Sequence, residues 1–88
     1  MKAATLEITF RKGRPFAAYL RLEGPRAKVD RTTEAAPSLM VDFDDAGRAL
    51  GVEILAFDAS TVARINEVLV SIGHAALPDE ELAPLRAA

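Results

Sequence analysis

The chain has no cysteine. That excludes a disulfide framework, a zinc–thiolate site and a thiol nucleophile. Tryptophan is also absent, aromatic residues make up 6% of the chain, and His74 is the single histidine. There is no second histidine for a triad or metal cluster, and no serine or threonine stands in a G-x-S-x-G elbow. No apolar run approaches a membrane span, and the first seven residues lack the apolar core of a leader peptide. These absences point away from an enzyme, a cofactor site, a metal site or a membrane protein, and toward a reducing cytoplasm. With 88 residues, one domain over 1–88 buries roughly 60–70% of its unfolded surface, enough for one modest core.

The net charge is −2, but it is unevenly placed. Residues 1–31 carry eight basic and three acidic side chains, net +5, and residues 32–88 carry three basic and ten acidic, net −7. Both halves packed into one solvated domain account for this. The sharper alternative is a polarised surface that favours self-association or a charged partner.

The most informative stretch is a hairpin over Leu39 to Leu55, whose two β-rich runs are joined by the turn Asp44-Asp45-Ala46-Gly47. Gly47 supplies the left-handed residue that a loop built on a type I turn needs at its last position. A four-residue loop pairs Phe43 with Arg48, Val41 with Leu50 and Leu39 with Val52. It places Leu39, Val41, Leu50, Val52 and Ile54 on one face.

Upstream, Thr5-Leu6-Glu7-Ile8-Thr9-Phe10 alternates strictly, as a half-buried strand does. The cluster 11–15 is a turn. A second strand follows, with Phe16, Ala18, Leu20 and Leu22 inward, pairing Phe10 with Phe16, Ile8 with Ala18 and Leu6 with Leu20. A turn at 23–26 leads to a weaker third strand over 27–32, whose inner positions are Ala27 and Val29, and then to a loop over 33–37. After residue 58 the period changes. Val62, Ile65, Leu69 and Ile72 form one helix stripe over 60–72, with Asp58 or Ser60 as N-cap and Gly73 as the left-handed stop. Pro78 opens a short second helix, which Pro84 is expected to end at Ala83.

These elements predict an α+β fold: a five-stranded antiparallel β-meander over about 4–55, with a C-terminal amphipathic helix packed on one face and a helical C-terminus over 58–86. A helix about 10 Å wide lies over a sheet about 20 Å across. The uncovered apolar strip then favours a homodimer, unless Leu77, Leu82 and Leu85 fold back over it.

The run Val41-Asp42-Phe43-Asp44-Asp45-Ala46-Gly47-Arg48, continued by Leu50-Gly51-Val52-Glu53-Ile54-Leu55 and Asp58-Ala59-Ser60, resembles the small prokaryotic proteins grouped as domain of unknown function 2283. Ala18-Tyr19-Leu20-Arg21-Leu22 is similar to the second strand of that family. The resemblance covers about residues 6–60. Phe10-Arg11 departs from the Tyr-Asp common there, and Ala56-Phe57 intervene before Asp58. The resemblance implies a fold and a size, no established activity, and an antitoxin-like association with small toxin-like proteins.

The candidate interaction residues are Tyr19, Arg21, Met40, Asp42, Asp44, Gly47, Arg48, Gly51 and Glu53. Asp42, Asp44, Gly47 and Glu53 match positions 1, 3, 6 and 12 of a calcium loop, but position 5 is Ala46 and strands rather than helices flank it. In the expected register Asp42 and Glu53 share the outer face several pairs apart. They read as solvated carboxylates. Arg48 pairs with the turn aspartates. Gly51, inside a strand, marks simple tolerance or a backbone approached by Tyr19 or by another chain. The first functional reading is a non-enzymatic interaction module, antitoxin-like or oligomeric. The alternative is a nucleic-acid-binding accessory protein that uses Arg11, Lys12, Arg14, Arg26, Lys28 and Arg31 on phosphates.

Overall fold

A computed structural model describes residues 4–22 and 27–87. It contains β1 (Ala4–Arg11), β2 (Arg14–Leu22), β3 (Arg31–Ala36), β4 (Leu39–Phe43), β5 (Ala49–Ile54), α1 (Ala59–Ser71) and α2 (Asp79–Arg86). The five strands form one antiparallel sheet, and the α+β class follows. The turn expected at 23–26 lies outside the described residues.

The strand order is β1-β2-β5-β4-β3, which is not the sequential order of a meander. β5 lies between β2 and β4. The physical reason is visible in composition. Val52 and Ile54 of β5 are fully buried, whereas Arg31, Thr32, Thr33 and Glu34 of β3 are exposed. The most apolar hairpin takes the centre, and the most polar strand goes to an edge. β3 itself runs over Arg31–Ala36, where a loop was expected, and Ala27 and Val29 precede it in the open, with Val29 46% exposed.

The hairpin register also differs from the four-residue-loop expectation. Phe43 pairs with Ala49, Asp42 with Gly51, Val41 with Val52 and Leu39 with Ile54. Leu50 is the extra residue at a shift between Asp42 and Phe43, so it leaves the core face and is only half-buried. Leu39, Val41, Val52 and Ile54 keep that face. Such a bulge satisfies both the five-residue loop and the buried pattern.

The β1–β2 hairpin turns through Lys12 and Gly13, with φ of 54° and 78°. Two positive φ values at a two-residue turn match the right-handed twist of the strands. Leu6 pairs with Leu20 and Ile8 with Ala18 as expected, but Phe10 pairs with Pro15. Phe16 is the extra residue of that shift. It is 52% exposed, Phe10 is 61% exposed, and the Arg11 guanidinium lies 4.1 Å from the Phe16 ring centre. Neither phenylalanine is core.

Asp58 is the N-cap of α1, accepting from the Thr61 N–H at 3.2 Å and the Thr61 hydroxyl at 2.8 Å. At the other end Gly73 has φ 84°; it donates to Val70 O at 3.1 Å, and His74 N donates to Leu69 O at 2.9 Å. This is a Schellman stop. Val62, Ile65, Val68 and Leu69 pack on the sheet face. The chain then folds back. Both amide atoms of Asn66 hold the Leu77 backbone, at 3.0 and 2.8 Å, and Leu77, Leu82 and Leu85 join the core. The second cover of the sheet is thus the chain's own tail. α2 runs through Pro84 to Arg86 rather than ending at Ala83. Leu82 and Leu85, three apart and buried, hold that turn against the loss of one backbone donor.

Gly47 has φ 83°, and a Cβ placed there meets nothing within 4 Å. A substitution at Gly47 therefore reports conformational strain alone. Gly47→Val should destabilise the fold by more than about 1 kcal/mol, since a β-branched residue resists the left-handed region. Urea denaturation with an unchanged midpoint would contradict this.

Candidate functional site

A strand sends alternate side chains to opposite faces. α1 and α2 cover one face of this sheet, and the other carries the polar alternates. The strand registers align those alternates into two rows across all five strands. One row reads Glu7, Tyr19, Glu53, Met40, Glu34, and the next reads Thr5, Arg21, Gly51, Asp42, Thr32. The rows hold four carboxylates and one guanidinium, Arg21, whose nearest acid is Glu7 at 3.4 Å. That pair is about half exposed on both sides and contributes about 0–1 kcal/mol.

The centre of the face is Tyr19. Its ring crosses the Gly51 backbone, and a Cβ at Gly51 would fall on the ring. The phenol reaches the strand beyond and donates to Asp42 Oδ2 at 3.1 Å. Asp42 Oδ1 accepts from the Thr32 hydroxyl at 2.6 Å, so β2, β4 and β3 are tied across the face by side chains. Gly51 is thus the backbone approached by Tyr19. Burial and the neighbouring Asp42 carboxylate push the Tyr19 hydroxyl up to about 12. The Arg21 guanidinium, 5.4 Å from the ring centre, pulls the other way.

Residues 17–57 match the family model described as protein of unknown function (DUF2283). The chain resembles that family over this stretch. The matched residues carry Tyr19, Thr32, Asp42 and Gly51, and leave out β1 and both helices. No curated protein matches, and no solved structure matches.

Asp44, Gly47 and Arg48 lie apart from the face, in the hairpin loop. The Asp44 side chain turns inward and is 4% exposed, while the Arg48 side chain is 63% exposed. Asp44 Oδ1 accepts from the backbone N–H groups of Ala46 at 2.9 Å and Arg48 at 2.8 Å, and Oδ2 accepts from Arg48 Nε at 3.1 Å. The Arg48 backbone N–H foremost, with those of Ala46 and the guanidinium, outweighs burial and holds the carboxyl below the usual carboxylate range. The calcium-loop spacing therefore does not converge in space. Asp44 is consumed by its own loop, while Asp42 faces Tyr19 and Thr32. The observed register does make Asp42 and Glu53 diagonal neighbours on adjacent strands, closer than the expected register placed them. Among the described residues no group of three or more potential ligands gathers, and no helix is long and apolar enough to cross a membrane.

Thr32 and Glu34 are not legible as site residues, because the sequence pattern puts the third strand at 27–32 whereas it runs over Arg31–Ala36. Glu7 was legible as an outward residue of β1 but not as part of a row, because the strand order was not known.

Tyr19 is the single tyrosine and there is no tryptophan, so its absorbance titration is unobstructed. The folded midpoint should lie near 12, and Asp42→Asn should lower it while leaving the part due to burial. Gly51→Ala should displace the ring and bring the midpoint toward 10. A Tyr whose folded pKa is raised stabilises the fold fully below the unfolded value. That contribution is lost as pH rises from about 10 to about 12. A wild-type midpoint at 10 would mean the phenol is not held.

Asp44 and Asp58 have lowered folded pKa values. Their stabilisation is present above the ordinary carboxylate pKa and disappears as pH falls through the folded values. Asp44→Asn should flatten the decline in melting temperature below about pH 4. An unaltered acid limb in calorimetry would exclude that role.

Proposed function

We propose that this chain is a non-enzymatic interaction module that docks a small basic protein on its uncovered sheet face, in an antitoxin-like association. The observation that supports it is the two-row surface centred on Tyr19. Gly51, bare inside a central strand, lets the Tyr19 ring cross its backbone beside Glu53 and reach Asp42. Met40 stands in the same row between Glu53 and Glu34. An aromatic and a methionine flanked by carboxylates offer apolar contact area with a cationic preference. Cations of a partner meet four acids here against one competing guanidinium.

The second reading, nucleic-acid binding, draws support from Arg11, Lys12 and Arg14 at the β1–β2 turn. Arg11 there stacks on the exposed Phe16. Phosphate contacts give affinity that falls steeply with salt.

The test uses paired variants. A protein captured from the native cell by the wild type should have a basic isoelectric point. It should be lost on Glu53→Lys or Met40→Lys and retained on Lys12→Ala. Random duplex DNA should show no steep salt-dependent binding. Capture insensitive to Glu53→Lys, or DNA affinity abolished by Lys12→Ala, would overturn the docking reading, and the second result would establish the alternative.

A further inference from the structure

The two edges of the sheet are unlike. β3 is short, charged and shifted in register between Glu34 and Ala36; Pro37 follows it, and α1 packs near it. Those are the usual devices that keep an edge from pairing. β1 is longer and less protected: its one shift, between Thr9 and Phe10, places the extra residue, Phe16, on β2, and the run Thr5 to Thr9 pairs without interruption. It is an eight-residue strand, alternating throughout, with no proline, and it has no neighbour on its outer side among the described residues. Its core-side residues are also the least covered. Leu6 and Ile8 are only half-buried and Phe10 is 61% exposed.

We infer that β1 is the pairing edge for a second copy of this chain, joined antiparallel about a two-fold axis through Ile8 into one continuous ten-stranded sheet. Any axis on a residue keeps apolar residues facing apolar residues, and the three nearest the middle of the strand, at Glu7, Ile8 and Thr9, match the most of it. An axis at Glu7 sets acid against acid, which is destabilising. An axis at Thr9 leaves Leu6 opposite the Lys12 turn. An axis at Ile8 pairs Ile8 with itself, Leu6 with Phe10 and Glu7 with Thr9. It also sets Thr5 against Arg11, so the whole run 5–11 is matched. Arg11 of one copy then lies diagonal to Glu7 of the other, within reach of two long side chains, and symmetry repeats the contact. The apolar contact buries Leu6, Ile8 and Phe10 of both copies. The axis stands normal to the sheet, so both outer faces lie side by side. The inference goes beyond the docking reading and does not depend on it.

The absence of cysteine gives a direct test. In this register the two residues at position 8 have Cβ atoms about 4.5–5.5 Å apart, and paired strand Cα spacings fall within the roughly 4.4–6.8 Å a disulfide spans. Wild type should sediment at micromolar concentration with twice the 9.4 kDa chain mass. Under mild oxidation Ile8→Cys should give a covalent dimer, and Thr5→Cys, six residue steps from its own copy, should not. Arg11→Glu should weaken the dimer about threefold or more, from two like-charge contacts, and Glu7→Arg with Arg11→Glu should restore it. A 9.4 kDa species alone, or a dimer in which Thr5→Cys cross-links and Ile8→Cys does not, would overturn the inference. So would a dimer indifferent to the charge exchange. None of these results bears on capture at the outer face.

Discussion

The structure depends on burying one face of the β4–β5 hairpin. Leu39, Val41, Val52 and Ile54 are at most 1% exposed, and they meet Ile65 and Leu69, which are fully buried. Each such side chain contributes about 1.5–3 kcal/mol by leaving water. Among the described strands this hairpin has the largest set of fully buried side chains. The hairpin therefore takes the middle of the sheet, and the remaining strands arrange themselves around it. β2 docks on β5, β3 on β4, and β1 is left at the margin.

The helical layer covers the middle of one face, and the polar alternates occupy the other. The helical layer is held by local devices. Asp58 starts α1, Gly73 stops it, and Asn66 clamps the returning chain at Leu77. With the apolar demand met on that side, the opposite face is free to carry Tyr19 across Gly51 to Asp42. That arrangement locks three strands by side-chain hydrogen bonds in addition to the backbone ladder. It also fixes the Tyr19 ring across the Gly51 backbone in a partly desolvated position.

The hairpin loop and the sheet face share a sequence motif but do different work. Asp44 closes the loop on itself through three hydrogen bonds, and Gly47 provides the left-handed residue that closure needs. Asp42, two residues earlier, belongs to the face. Alternation along β4 separates the two carboxylates, which is why a spacing that resembles a calcium loop becomes a structural knot beside a surface network.

The sequence by itself determined whatever depends on near neighbours. Alternation identified β1, β2, β4 and β5, the 3.6-residue period identified α1, and Asp58, Gly73 and Gly47 marked caps and turn through their own backbone preferences. Gly51, a glycine inside a strand, left simple tolerance and a close approach by Tyr19 or another chain open, and only the tertiary structure put the Tyr19 ring across it. Only the tertiary structure decided the strand order, because antiparallel strands with the same alternation are interchangeable until burial ranks them. It also decided the shift at Leu50 and the exposure of Phe10 and Phe16. A bulge exchanges one ladder position for a better-buried face, and that balance is set by partners distant in the chain. The tail was ambiguous for the same reason. Leu82 and Leu85 outweigh Pro84 once the core is there to receive them, and no local preference carries that information.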